Sequence, residues 1–173
     1  MSKSNYATIG ELESILTNRD AGLTVSLDRK EGMLYIDLER PGTLSRDICI
    51  MSNMGEKDDR ASVRTVIFGY NINAIDTFFF LPNLKEIIFE GNVSSIREYA
   101  FSGHPKLKYV RFEQLCNPTL GRGAFLNCRA LKRIDPPGGY SISDYAFQNT
   151  PLVSEQRRHA LAGSLRIPHT VSP

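Results

Sequence analysis

Cysteine is scarce in this sequence, and tryptophan is absent. The 173 residues contain three cysteines, Cys49, Cys116 and Cys128. No two of them have the CxxC spacing of a zinc or redox site, and an odd count is a poor basis for a disulfide framework. This cysteine usage favours a protein of a reducing compartment.

Long hydrophobic runs are also missing. No stretch approaches the roughly 18 apolar residues that cross a bilayer, so we expect no membrane span. The opening residues MSKSNYATIG lack the long apolar core of a secretory signal. The sequence as it stands therefore predicts a cytoplasmic protein, and a surface or secreted location stays open if a leader precedes it.

The motifs of common catalytic and cofactor sites are missing as well. There is no GxxxxGK loop, no GxGxxG turn, no HExxH motif and no GxSxG elbow. The histidines His104, His159 and His169 are isolated, without the i, i+4 spacing of a helical metal site. We predict no enzyme activity, no cofactor and no metal, and we assign no catalytic residue. A thiol enzyme built on Cys116 or Cys49 is the alternative, and it requires an exposed thiol of low pKa.

The overall composition is that of one ordinary soluble domain, with 41% hydrophobic and 23% charged residues. Charge is distributed unevenly along it. Residues 1–62 carry eight Lys or Arg against eleven Asp or Glu, whereas residues 63–173 carry thirteen against eight. The basic surplus therefore belongs to the second part of the chain.

A repeat with a period of 21 to 24 residues runs through that second part. Each copy has Ile or Leu followed five residues later by Phe, which aligns Ile75–Phe80, Ile96–Phe101, Leu120–Phe125 and Ile142–Phe147. A polar turn then leads to apolar residues at positions one, four and six of a short pattern, which recur as Val63, Val66, Phe68; Leu84, Ile87, Phe89; Leu107, Val110, Phe112; and Leu131, Ile134.

Such a pattern predicts a short strand whose apolar side chains enter a core. A period in this range is typical of leucine-rich repeats, whose units bury their apolar edges by stacking on one another. The fold class we predict is an α/β repeat solenoid, with about four to five rungs over residues 63–173.

The segments IREYAFSGHPKLKYVRF, LGRGAFLNCRALKRI and ISDYAFQNTPL resemble the BspA-type leucine-rich repeat family. The resemblance covers about residues 63–152, and the tail to residue 171 is compatible with one more unit. It implies a right-handed solenoid with a short parallel sheet on its concave side. Known members are mostly surface or secreted adhesion and interaction proteins, so the resemblance also implies a binding role.

Residues 1–62 do not repeat. The capping-box pair Thr8 and Glu11, with apolar residues on one face, predicts a helix to about residue 17 or 18. Alternation over residues 23–27 and 34–38, around a polar turn, predicts a hairpin. This helix plus hairpin is either a cap for the first repeat or a separate interaction module. Near the other end, residues 153–163 predict a helical insertion.

Residues between the core positions of each predicted strand are expected to project from the sheet. They include six bases, two acids, and the isoleucines Ile67 and Ile88. We define the concave stripe as the candidate partner-binding residues Arg64, Lys85, Lys108, Tyr109, Arg111, Lys132 and Arg133. Their charge predicts an acidic partner, and the alternative is that the lysines only keep the sheet soluble.

Three functional hypotheses follow. The first is a non-catalytic interaction module that binds an acidic protein or ligand through the concave face and the rim loops. The second is a structural or self-assembling protein whose C-terminal rung stacks on another copy. The third is an adhesin-like binder of glycan or host protein if a secretion signal has been removed. Nucleic acid is disfavoured, because Glu86 and Asp135 interrupt the bases and no stacking aromatic series accompanies them.

Overall fold

The computed structural model of the chain describes residues 14–18, 22–44 and 57–152. No helix in these ranges has the length and apolar character needed to cross a bilayer. In chain order, the elements are β1 (Ser14–Asn18), β2 (Leu23–Asp28), β3 (Met33–Leu38), β4 (Gly42–Leu44), α1 (Lys57–Ser62), β5 (Thr65–Phe68), β6 (Ile72–Ile75), β7 (Glu86–Phe89), β8 (Ser95–Ile96), β9 (Tyr109–Phe112), β10 (Thr119–Leu120), β11 (Arg133–Asp135) and β12 (Ser141–Ile142).

These strands form two sheets. The long sheet has seven strands in the order β1-β2-β3-β5-β7-β9-β11, and the short sheet has five in the order β4-β6-β8-β10-β12. From β3 onward, each long-sheet strand is followed in the chain by one short-sheet strand, and we call such a pair a rung. Neighbouring rungs pair in parallel in both sheets. The predicted repeat solenoid, with its parallel sheet, is confirmed.

The register of the long sheet places the same repeat position of each rung side by side. Val66 pairs with Ile87, Ile87 with Val110, and Val110 with Ile134. All four side chains are buried. The apolar positions identified from the repeat therefore line one continuous core, as predicted.

Phenylalanine rings stack from rung to rung through this core. In one ladder, Phe68 and Phe89 have ring centroids 5.0 Å apart, and Phe89 and Phe112 are 4.9 Å apart. In a second ladder, Phe101 stacks on Phe125 at 5.6 Å, and Phe125 stacks on Phe147 at 5.8 Å. Such aromatic pairs contribute about 0.5–1.5 kcal/mol beyond their area burial.

The aromatic run at residues 78–80 corrects the repeat alignment. Phe78 is buried and packs on Phe68 and Phe101 at 5.3 and 5.4 Å, whereas Phe80 is 52% exposed. The Phe78 amide donates to the Ala100 carbonyl, just as the Phe101 amide donates to that of Ala124. Phe78, rather than the predicted Phe80, is therefore the core aromatic of its rung. The spacing from this ring to the next core Leu is the usual one, since Leu84 follows Phe78 by six positions and Leu107 follows Phe101 by six. The shortened segment of this rung therefore lies before Phe78.

The predicted N-terminal hairpin is confirmed. Strands β2 and β3 pair antiparallel, with Leu23 opposite Leu38 and Leu27 opposite Leu34. On its other side, β3 pairs in parallel with β5, so the hairpin continues the long sheet.

The predicted N-terminal helix is wrong where it can be compared. Residues Ser14–Asn18 form β1, which pairs antiparallel with β2. An available sheet edge satisfies their backbone groups, and the β-branched Ile15 and Thr17 favour a strand. Residues 1–13, the predicted insertion at 153–163 and the possible rung to residue 171 lie outside the described residues.

The revised alignment makes a direct stability prediction. Phe78→Ala should lower the free energy of unfolding by about 3–5 kcal/mol, because it removes a buried ring from the aromatic core. Phe80→Ala, the matched control two residues away, should cost less, about 1–2 kcal/mol, because about half of its surface is in solvent and its ring contacts only the edge of the core at His104. Urea unfolding of both variants measures this. Equal losses, or the larger loss at Phe80, would restore the original alignment.

Candidate functional site

Four basic residues lie side by side at the start of successive long-sheet strands. We call them the base column: Arg64, Lys85, Lys108 and Lys132. The amide of each of the last three donates to the carbonyl of the preceding member, at 2.7, 2.7 and 2.9 Å. Lys108 is partly exposed and the other three are exposed. Neighbouring strands are about 4.8 Å apart, so the column extends over about 14 Å.

The base column has no internal counter-charge. Among the residues that the structure describes, no acid forms a salt bridge with any of its four members. Like charges on adjacent rungs raise the local positive potential, and an acidic ligand would relieve their repulsion. Uncompensated charge of this kind favours an external partner.

The two arginines of the concave stripe that lie outside the base column have counter-charges within the sheet. Arg111 Nε lies 2.8 Å from Glu86 Oε1 on the neighbouring strand. Arg133 Nε donates to Asp135 Oδ2 on its own strand at 3.0 Å. Exposed pairs of this kind contribute at most about 1 kcal/mol, so a bound ligand could exchange them at little cost.

Tyr109 lies between these two ion pairs and is 41% exposed. It adjoins Glu86 on one side and Arg133 on the other. Around it is an open depression of about 430 Å³, whose charged lining consists of Glu86, Arg111, Glu113, Arg133 and Asp135. Five of the seven predicted stripe residues thus lie on β9 and β11 or directly before them, and Lys85 and Arg64 continue the surface toward the N terminus.

Acidic residues lie at the opposite end of the same strands, a feature that the sequence interpretation missed. The Gly69, Glu90 and Glu113 amides donate to the Ile36, Phe68 and Phe89 carbonyls. These bonds align three acids, which we call the acid column: Asp37, Glu90 and Glu113. The signal was present in the repeat, since Glu directly follows the last core Phe at Phe89 and at Phe112.

The acid column changes the charge expected for this face. Over the rungs from Arg64 to Asp135, the six bases are opposed by four acids rather than two. Glu113 is exposed, whereas Glu90 is buried and Asp37 accepts bonds from the Leu38 and Asn71 amides. The base column therefore lies at the start of the strands, and at their end Glu113 is the exposed member of the acid column, with Gly69 at the same position of the first rung.

Ile67 and Ile88 correct a second expectation. Both were expected to project into solvent, but only 3% and 2% of their surfaces are exposed. The register places them between the large side chains of Tyr35 and Arg111, and long side chains can cover neighbouring apolar surface. They are buried in the middle of the long-sheet face, between the base column and the acid column, and offer no exposed surface to a partner.

The residues considered for chemistry occupy core positions in the described part of the chain. His104 is buried, accepts a hydrogen bond from the Leu81 amide at Nε2, and lies with Nδ1 3.0 Å from the Phe101 carbonyl. Burial lowers the pKa of His104, which keeps the imidazole neutral. His159 and His169 lie outside the described residues.

The two described thiols are poor nucleophiles. Cys128 occupies the same repeat position as His104 and donates to the Phe101 carbonyl, and burial raises its pKa to about 11. Cys116 is also buried, and desolvation raises the pKa of its thiol. Reactive cysteines need a low pKa and access, so neither residue supports the thiol-enzyme alternative. Cys49 lies outside the described residues.

Metal-ligating side chains do not converge within the described ranges, where no group of three or more His, Cys, Asp or Glu could hold an ion. The geometry instead offers a charged, open sheet face with an exposed tyrosine at its centre.

Comparison with protein families supports the repeat assignment. The description "BspA type Leucine rich repeat region" matches residues 59–157 in six copies, which is more than half of the chain. The chain belongs to this BspA-type leucine-rich repeat family. Comparison with curated proteins and with solved structures gave no match. Membership in the BspA-type family is consistent with a repeat-based interaction module, and this family is typically non-catalytic.

Stability of this BspA-type solenoid should depend on pH through His104. Its folded pKa lies below the ordinary value of 6.5, so the unfolded chain binds a proton more readily than the folded one. The free energy of unfolding should therefore decrease as the pH falls below 6.5, with a slope of at most about 1.4 kcal/mol per pH unit from this group.

His104→Cys, which copies Cys128 of the next rung, is the matched control. It should remove that part of the slope, while other titrating groups contribute equally to both proteins. Urea unfolding between about pH 7.5 and 5 gives the comparison. Identical slopes for the wild type and the variant would show that His104 does not titrate on unfolding in this range.

Proposed function

We propose that the protein is a non-catalytic interaction module whose base column binds an acidic segment of another protein. The observation that carries this proposal is the run of four bases on consecutive rungs that form no salt bridge with any acid in the described part of the chain. Structural ion pairing does not account for them, unlike Arg111 and Arg133. Charges of this kind steer encounter and set specificity more than they contribute raw affinity.

The proposal needs contacts beyond the columns. A standard interface involves about 20 to 30 residues a side, more than this narrow sheet face supplies. Two of the predicted rim loops, residues 114–118 and 136–139, follow β9 and β11. The predicted rim loop at 71–73 is wrong, because Ile72 and Asn73 belong to β6 and Ile72 is buried. Leu115 in the loop at 114–118 is 75% exposed and offers an apolar contact beside Glu113. We place the rim of the interface there.

A protein fits this surface better than a nucleic acid. Binding to a phosphate backbone grows with the number of phosphates that bases neutralise. Here the acids Glu86, Glu113 and Asp135 lie within the same face and would repel a polyanion. A folded protein can present acids to the base column and avoid the rest of the face, which a uniform polyanion cannot do.

Charge reversal of the base column tests the proposal. The variant Lys85→Glu, Lys108→Glu, Lys132→Glu should reduce capture of the partner from a native-source lysate by about tenfold or more, because it replaces attraction with repulsion on three rungs. Capture by the wild type should also weaken as salt rises, since exposed charges are screened.

The matched control is Lys106→Glu, Arg122→Glu, Arg129→Glu. It makes the same change in net charge at exposed residues that are not members of the base column. Both variants should unfold at a urea concentration close to that of the wild type. Capture that is equal for all three proteins, or reduced as much by the control as by the base-column variant, would contradict the proposal.

A further inference from the structure

The base and acid columns face each other across the long sheet, and this arrangement restricts what can bind there. Lys85 and Glu90 lie at opposite ends of one strand, and Lys108 and Glu113 at opposite ends of the next. Five residues separate each pair, which corresponds to about 16 Å along a strand. Glu90 is buried, so a ligand resting on the sheet centre meets the base column on one flank and the exposed Glu113 on the other.

We infer that the bound segment is a single α-helix of the partner, laid across the strands, with acidic residues along one flank and basic residues along the other. This inference rests on the proposed function and specifies the partner of the same face. The acidic flank contacts the base column. The basic flank contacts the exposed Glu113 and the exposed Asp135, which lies on the next strand in register with Arg111 and is paired with Arg133.

Width and spacing favour a helix over an extended segment. A helix with its side chains is about 10–12 Å across, so it fits between columns about 16 Å apart with charged side chains reaching outward. Along the columns, rungs repeat every ~4.8 Å, close to the helical pitch of about 5.4 Å at which side chains return to one flank. In an extended segment, side chains on the same side recur about every 6.7 Å. They therefore no longer coincide with the charged residues of the sheet after two rungs.

The sheet centre supplies the contact for the underside of the helix. Tyr109 is 41% exposed there, whereas the neighbouring Ile88 is buried and offers no contact area. A tyrosine in this position provides a rigid amphipathic contact at low entropic cost. The Arg111–Glu86 and Arg133–Asp135 ion pairs border Tyr109. Their side chains can exchange partners with charged residues on either flank of the helix.

Three synthetic helical peptides of about 20 residues on an alanine-rich background test the inference by titration against the full chain. The first carries Glu on one flank and Lys on the other. The second has the same composition, with Glu and Lys mixed on both flanks, and the third carries Glu on both flanks. We expect the first peptide to bind about tenfold more tightly than either of the others, because only it matches both columns.

The variant Glu113→Lys, Asp135→Asn adds a readout that loss of folding cannot mimic. It should reverse the preference, so that the peptide with Glu on both flanks binds more tightly than the charge-separated one. The base-column variant described above should weaken all binding that depends on Glu.

The outcomes separate this inference from the proposed function. Equal or tighter binding of the all-Glu peptide to the wild type, with dependence on the base column, would overturn the inference and leave the proposed function standing. No measurable binding of any peptide, or no preference between the separated and mixed peptides, would also overturn it. Loss of base-column dependence in both the peptide and the lysate measurements would refute the proposed function itself.

Discussion

Hydrogen bonding between the backbones of neighbouring rungs is the constraint on which the rest of this structure depends. From β5 onward, one rung has a long-sheet strand of three or four residues and a short-sheet strand of two to four residues, and it cannot enclose a core. Parallel pairing at a constant register brings each Phe over the Phe of the next rung. Burial, aromatic stacking and the neutral state of His104 all follow from that alignment, because each requires the rung on either side.

The same register turns a residue preference of the repeat into a surface. A base directly after the first core position of each unit becomes a column of four, and an acid after the last core Phe becomes part of an opposing column. Neither column needs any long-range contact beyond those that already build the core. The two columns therefore arise because the same unit is repeated. A substitution at one repeat position in several units alters the charge along one whole flank of the face.

The fold could be predicted largely from the repeat, because apolar spacing over four units leaves few other ways to bury Val66, Ile87 and their counterparts.

The errors arose where a local pattern competes with packing. Counting forward from Ile75 selected Phe80, whereas counting back from Leu84 selects Phe78, since the shortened segment precedes the ring. Amphipathic spacing predicted a helix up to residue 18, but an open edge of β2 recruited Ser14–Asn18 as a strand. The register brings candidate-stripe residues of neighbouring rungs side by side, and their role in binding stays a prediction. The ion pairs of Arg111 and Arg133 depend on side-chain reach, which spacing does not encode.

The two sheets differ in extent, and this affects how copies of the protein could meet. Within the described residues, the long sheet has seven strands and the short sheet five, so β1 and β2 extend beyond β4 with no short-sheet strands beside them. The overhang amounts to about 10 Å at a strand spacing of about 4.8 Å. A second copy that approached this end with its own last rung could continue one sheet only by leaving a step in the other. Within the described residues, this end therefore presents a stepped edge on which an identical two-strand rung could not stack in full register.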